Sequence, residues 1–266
     1  MPARANQPLP TSPFAAVREW RTNRVVRAVA SGEVEKILAE HRRYLATDRK
    51  QGARANFSSA DLREMRFAGM KLRRARFDHA QLAGANFMHA DLSKANLIGA
   101  DLHGAWMSGA DMTEARLSGA NLACANLEGA CLQGAAIEFA LLAQAMLVRA
   151  CLQAADLSGV VLGEANLTGA DVQGANLRGT DLHSARMDGA DLRKARLGAA
   201  FLGKTSLRGA DLRGAYLRLA RFESTDLSGA DLRDVEGLTQ MQVDAAVCDR
   251  QTTLPEGFQS RAHDVG

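Results

Sequence analysis

Ala55-Asn56-Phe57-Ser58-Ser59 is followed without a break by Ala60-Asp61-Leu62-Arg63-Glu64, Met65-Arg66-Phe67-Ala68-Gly69 and Met70-Lys71-Leu72-Arg73-Arg74. The same frame of five runs to Asp234, through 180 residues and 36 units with no insertion. The first position is Ala in 30 units and otherwise Met65, Met70, Val160, Thr180, Thr205 or Thr225. The third is always apolar, and the consensus reads Ala-Asp/Asn-Leu-x-Gly. A period of five suits neither regular element. On an α-helix it advances about 500°, which scatters the leucines around every side. On a continuous strand an odd period flips each leucine to the opposite face. Within one unit, however, Ala and Leu are two apart and share one side of a short extended edge. The next two residues must then turn the chain, and Gly suits that corner. Edge and corner, repeated, wrap the chain into a coil with Ala and Leu inside.

Thirty-six copies of Ala-Asp/Asn-Leu-x-x over 180 of the 266 residues resemble the pentapeptide-repeat family. The resemblance implies an all-β solenoid, a right-handed quadrilateral parallel β-helix with four units per coil and about nine coils. A second feature of the sequence agrees with four units. Phe replaces Leu at Phe57, Phe67, Phe77 and Phe87, every second unit, so Phe57 is expected to stack on Phe77 and Phe67 on Phe87, on opposite walls. Coils ~4.8 Å apart make a rod on the order of 43 Å long.

A solenoid has open edges that need covers. The chain therefore divides into a basic, partly disordered N-terminal arm (1–30), a helical N-terminal cap (31–54), the repeat (55–234) and a C-terminal cap and tail (235–266). Ser31 is the expected N-cap of a helix from Glu33 to about Ala46, with Val34, Ile37, Leu38, His41 and Leu45 on one face. Thr239-Gln240-Met241-Gln242 reads as a capping box opening a short helix to about Val247. Val243, Ala246 and Val247 are expected to close the last coil. The stretch from Leu238 to Phe258 resembles the tail of many bacterial pentapeptide-repeat proteins.

Charge and cysteine usage narrow the function classes. The net charge is +3, distributed as +6 over 1–54 (11 Lys/Arg against 5 Asp/Glu), zero over the repeat and −3 beyond it. No apolar run approaches the ~20 residues of a membrane span, no secretory leader is recognisable, and Cys124, Cys131, Cys151 and Cys248 form no CxxC pair. A cytoplasmic setting is the default expectation. Cys131 and Cys151 hold the same outward position one coil apart and are expected to stack as free thiols; a bridge or a metal site are the alternatives, although two thiols alone make a poor zinc site.

Gly198-Ala199-Ala200-Phe201-Leu202-Gly203-Lys204-Thr205 fits GxxxxGK[ST]. A phosphate loop must follow a strand and open a helix; here Ala200, Leu202 and Thr205 are inward positions of the repeat, so the match is a coincidence. With no histidine cluster and no nucleophile–base pair, the sequence points to a non-enzymatic scaffold without cofactor or metal, binding an unknown protein partner or a second copy of itself. The resemblance also implies a topoisomerase (gyrase) binder of the DNA-mimic type, but such mimicry needs a strongly negative surface. Nucleic-acid contact through Arg18, Arg21, Arg24 and Arg27 is a further alternative. One coil breaks the pattern: residues 135–154 contain no Asp or Asn. Its outward Phe139, Leu141, Met146, Val148 and Cys151, with Val161 in the next coil, form a candidate interaction belt. Shelter by flanking groups, or simple drift of the repeat, would leave the same pattern.

Overall fold

The structure, a computed structural model, describes residues 27–260; the basic arm up to residue 26, including Arg18, Arg21 and Arg24, and the last six residues lie outside that range. The repeat forms a solenoid in which every isolated bridge between units joins residues twenty apart in parallel, from Asn56↔Arg76 to Tyr216↔Glu236. Twenty residues are four pentapeptides, so one turn has four sides. We number these sides by the second residues of the first turn: Asn56, Asp61, Arg66 and Lys71.

Each of the five positions now has a physical reason. First and third residues line a dry interior, where Ala75, Phe77, Leu102 and Leu152 are all fully buried. The third residue's N–H bonds to the next turn, as in Leu62 N–H to Gln81 O at 2.8 Å, and the second residue's N–H bonds back, as in Gln81 N–H to Ala60 O at 2.8 Å. The first residue's N–H closes the corner (Ala60 to Phe57 O, 3.1 Å), and the fifth residue's N–H reaches the next turn (Glu64 to Ala83 O, 3.0 Å). The fourth N–H has no backbone partner in this scheme. It donates instead to the Asp or Asn two residues earlier, as in Ser93 to Asp91 Oδ1 (3.0 Å), Thr113 to Asp111 (2.9 Å) and Glu128 to Asn126 (3.0 Å). The Asp/Asn row is therefore an acceptor for an otherwise orphaned donor. All 36 fifth positions have positive φ, which explains their glycines; non-glycine residues such as Phe139 (φ 57) and Leu219 (φ 64) accept the same left-handed corner at a cost.

The phenylalanine ladder stands as the spacing requires. Phe57 and Phe77 stack at 5.2 Å and 18°, Phe67 and Phe87 at 4.9 Å and 11°, while Phe77 meets Phe67 and Phe87 edge-on at 5.8 and 5.7 Å. Threonines at the first position use their hydroxyls inside the core. Thr180, Thr205 and Thr225 donate to Leu157, Leu182 and Leu202 carbonyls at 2.8, 2.6 and 2.7 Å.

At the N-terminal edge, β1 (Arg27–Ala28) pairs in parallel with β2 (Ala60–Asp61). Helix α1 (Ser31–Ala46) follows at once. Ser31 is not the N-cap: the strand ends so close that Ala30 is the last extended residue, its carbonyl already accepts Glu33 and Val34 N–H, and no side chain caps the helix. Val34 and His41 are buried, and Ile37 and Leu38 pack against the core. At the other end, α2 (Gln240–Ala245) opens with Thr239 and Gln242 in a reciprocal capping box. Gln242 Nε2 donates to the Leu217 and Ala220 carbonyls at 2.9 and 2.8 Å, which fastens the helix to the last turn.

Val243 is buried, but Val247 is 52% exposed and closes nothing. The chain has by then returned to the ladder, where Val247 pairs with Asp226 and Thr253 with Asp231. In that register Val247 occupies an outward position. The ladder thus runs past residue 234, with α2 standing in for one side of a further turn.

Candidate functional site

The six apolar belt residues do not share a surface. Phe139 stands at the corner that ends the first side, Leu141 and Val161 on the second, Met146 and Val148 on the third, and Cys151 on the fourth. Phe139 is 73% exposed and Met146 is 43% exposed. Val148, Cys151 and Val161 are half-buried. Leu141, read from the sequence as an exposed outward residue, is buried at 7% exposure. It lies between Asn121 and Val161 of the adjacent turns, and neighbours ~4.8 Å away on both sides leave an outward leucine little access to water.

The third side gathers what the belt does not. Its outward column from residue 86 reads Asn86, Trp106, Asn126, Met146 and Asn166, joined rung to rung. Trp106 is 53% exposed. Beside this column run Met88, Ser108, Glu128, Val148 and Thr168. The one charged residue among these, Glu128, is held by Arg149 at 2.8 Å. The Asn86, Asn126 and Asn166 carbonyls accept the N–H groups of Met88, Glu128 and Thr168, which fixes the amides between and beyond the two large side chains. The result is a flat, nearly neutral strip with Trp106 and Met146 two rungs apart. Sequence reading passed over Trp106, because its own unit keeps the Ala and Gly consensus and its partners are twenty and forty residues away. A tryptophan in an Asp/Asn row was the available signal.

The fourth side has a different chemistry. From residue 91 its outward column is Asp91, Asp111, Cys131, Cys151, Asp171, Asp191, Asp211 and Asp231. At the C-terminal end Arg193, Arg213 and Arg233 each grip the aspartate two residues before them, with Nη2···Oδ2 at 2.6 Å. The guanidinium hydrogen bonds hold Asp191, Asp211 and Asp231 below the usual carboxylate range. Arg193 and Arg213 also lie 3.7 Å from Asp211 and Asp231 of the next rung. This charge ladder is internally neutralised and offers no row of bare carboxylates to stand in for phosphates.

The phosphate-loop match has no phosphate loop. Thr205 is fully buried with its hydroxyl on Leu182 O, and the Lys204 and Thr205 N–H groups bond Glu223 O and Leu202 O. Among the described residues no three His, Cys, Asp or Glu side chains form a metal-binding set, and no helix is long and apolar enough to cross a membrane.

The sequence matches the family described as Pentapeptide repeats, in eight copies over residues 53–87, 79–113, 107–138, 161–198 and 202–235. The chain belongs to the pentapeptide repeat family. Solved members are right-handed quadrilateral β-helices. Among them, HetL from the cyanobacterium Nostoc sp. strain PCC 7120, a pentapeptide repeat protein involved in heterocyst differentiation regulation, is 33% identical. The match covers 82% of this chain and 92% of HetL, with a TM-score of 0.52. A second pentapeptide repeat protein from Nostoc is also 33% identical, over 43% of this chain and 77% of its own, at a TM-score of 0.33. QnrB1, a plasmid-mediated fluoroquinolone resistance protein, is 18% identical over 77% of this chain and 93% of its own, also at 0.33. No curated protein sequence matches significantly.

His41 connects the N-terminal helix to the first pentapeptide. Its Nδ1 accepts the Ala55 N–H at 3.0 Å, while Nε2 is buried without a partner. Burial, and then the Arg54 charge, lower its pKa below 6.5. A base with a depressed folded pKa contributes stability that is complete above pH 6.5 and is lost as pH falls through the folded value. The wild type is therefore expected to lose thermal stability from pH 7.5 to 5 more steeply than His41→Gln. Parallel melting curves for the two across that range would refute the assignment.

Proposed function

We propose that this pentapeptide-repeat protein is a non-enzymatic scaffold of about nine coils closed by helical caps, and that its third side is the surface that contacts a partner protein. The carrying observation is the pairing of exposed Trp106 and Met146 on a strip whose one acidic residue is neutralised by its neighbour. Trp and Met are enriched, and charges depleted, at the cores of protein interfaces. A rigid ladder also holds these side chains in place before binding, which lowers the ordering cost. The role of HetL in differentiation regulation supports a regulatory contact rather than catalysis.

Met146 also gives a test that separates binding from folding. Val148 N–H is a fourth-position donor, and Met146 cannot accept it as an asparagine would. Met146→Asn is expected to raise stability by about 0.5–1.5 kcal/mol while weakening association at least tenfold. Trp106→Ser is expected to weaken it about a hundredfold. Light scattering reads self-association, and capture on the immobilised protein reads a different partner. The exposed but distant Phe201→Ser and Leu219→Ser serve as controls. Association lost in the controls and kept in the third-side variants would move the contact to the C-terminal end. Dose-dependent inhibition of gyrase supercoiling that survives Trp106→Ser would favour the topoisomerase alternative instead.

A further inference from the structure

The geometry points to a binding site for a soft, two-coordinate metal ion of the Cu(I) class, made by the Cys131 and Cys151 thiolates on the fourth side. The two cysteines are direct partners in the parallel ladder and both are half-buried. Ladder bonds hold their rungs from both sides, Leu132 N–H to Cys151 O at 2.7 Å and Cys151 N–H to Ala130 O at 2.9 Å. In-register parallel side chains leave the backbone at the rung spacing of ~4.8 Å. A disulfide holds its Cβ atoms ~3.5–4.5 Å apart, so bridging would tilt the two parallel side chains toward each other. Two metal–thiolate bonds of ~2.3 Å placed in line span ~4.6 Å, which fits the rungs as they stand.

The surroundings select the kind of ion. No third donor completes a set among the described residues, which leaves tetrahedral zinc without half of its ligands. Thiolates select Cu(I), zinc and iron–sulfur clusters; zinc and the clusters take four ligands, so Cu(I) is the one that two thiolates suit. Asp111 and Asp171 occupy the rungs on either side. The arginine clamps that neutralise Asp191, Asp211 and Asp231 are replaced here by Thr113, Gln133, Gln153 and Gln173. No guanidinium in this row therefore competes with a bound metal ion for the flanking carboxylates. Hydrogen-bonding groups meet both sulfurs: Thr113 Oγ1 lies 3.3 Å from Cys131 Sγ, and the Gln153 N–H faces the Cys151 thiol. Binding one monovalent ion releases two thiol protons to solvent and leaves a complex of one net negative charge. Thr113 and Gln153 stabilise that charge.

The test is an anaerobic titration of the full-length protein with Cu(I) against bathocuproine disulfonate. One equivalent is expected to transfer to the protein and to protect two thiols from alkylation by N-ethylmaleimide. Cys131→Ser and Cys151→Ser are each expected to weaken retention at least a hundredfold, with Cys124→Ser and Cys248→Ser unchanged and circular dichroism constant throughout. Failure of the wild type to compete would overturn the site, as would an equivalent retained by both single-serine variants. Clean formation of a Cys131–Cys151 disulfide by diamide would also overturn it, because the two sulfurs would then close on each other instead of holding the span that an ion between them requires.

Discussion

Replacing Phe77 by Ala is expected to cost about 3–5 kcal/mol, among the largest losses available to a single substitution in this chain. Phe77 is fully buried, stacked on Phe57 and met edge-on by Phe67 and Phe87. Removing it deletes contacts to three rings at once. The void cannot collapse, because ladder bonds on each wall fix the turn above and the turn below. A solenoid responds locally, since each turn touches only its neighbours. Hydrogen exchange is therefore expected to accelerate over residues 55–95 while the turns from residue 150 onward keep wild-type protection. Uniform acceleration along the whole chain would show that the rod unfolds as a single cooperative unit. A loss below about 1 kcal/mol would show that the rings do not form the packed ladder described above.

That ladder was legible in the sequence because it depends on spacing alone. Five-residue period, two-residue separation of Ala and Leu, and Phe at every second unit leave few other backbones. The surface was less legible, because it is built by columns of residues twenty apart. Residues 135–154 stand out as an apolar run along the chain, yet the solenoid deals them to all four sides. Leu141 disappears between Asn121 and Val161. Trp106, alone in its unit, acquires Met146 as a companion two rungs away. The ends failed for a related reason. Ser31 is a good capping residue by type, but the register of β1 on Ala60–Asp61 decides where the helix begins. Val247 is apolar, but the ladder register places it outward against Asp226. The Thr239–Gln242 capping box was legible because it is contained in four consecutive residues.

The second large effect belongs to Gly52, which lies outside the repeat. It has a φ of +76°, and a Cβ there would fall 2.4 Å from Glu40 O and 2.7 Å from Tyr44 N. Both atoms are backbone of α1, so no side-chain rotation relieves the overlap. Left-handed strain of about 1–2 kcal/mol adds to an overpacking cost of about 1–3 kcal/mol. Gly52→Ala is thus expected to destabilise the N-terminal end by about 2–5 kcal/mol. The 47–54 turn carries the chain from the helix to Ala55, whose N–H is the one His41 accepts. Shifting this turn would pull that contact apart and expose the edge of the first coil, an unpaired row of N–H and C=O groups that invites strand addition. The variant is expected to be cleaved by protease between residues 46 and 56, and to self-associate with concentration beyond whatever the wild type shows. Gly69→Ala is the matched control: its φ is +66°, but a Cβ there meets nothing within 4 Å, so only the left-handed strain remains. Equal losses in the two variants would assign the whole effect to φ and leave the contact with α1 without energetic weight.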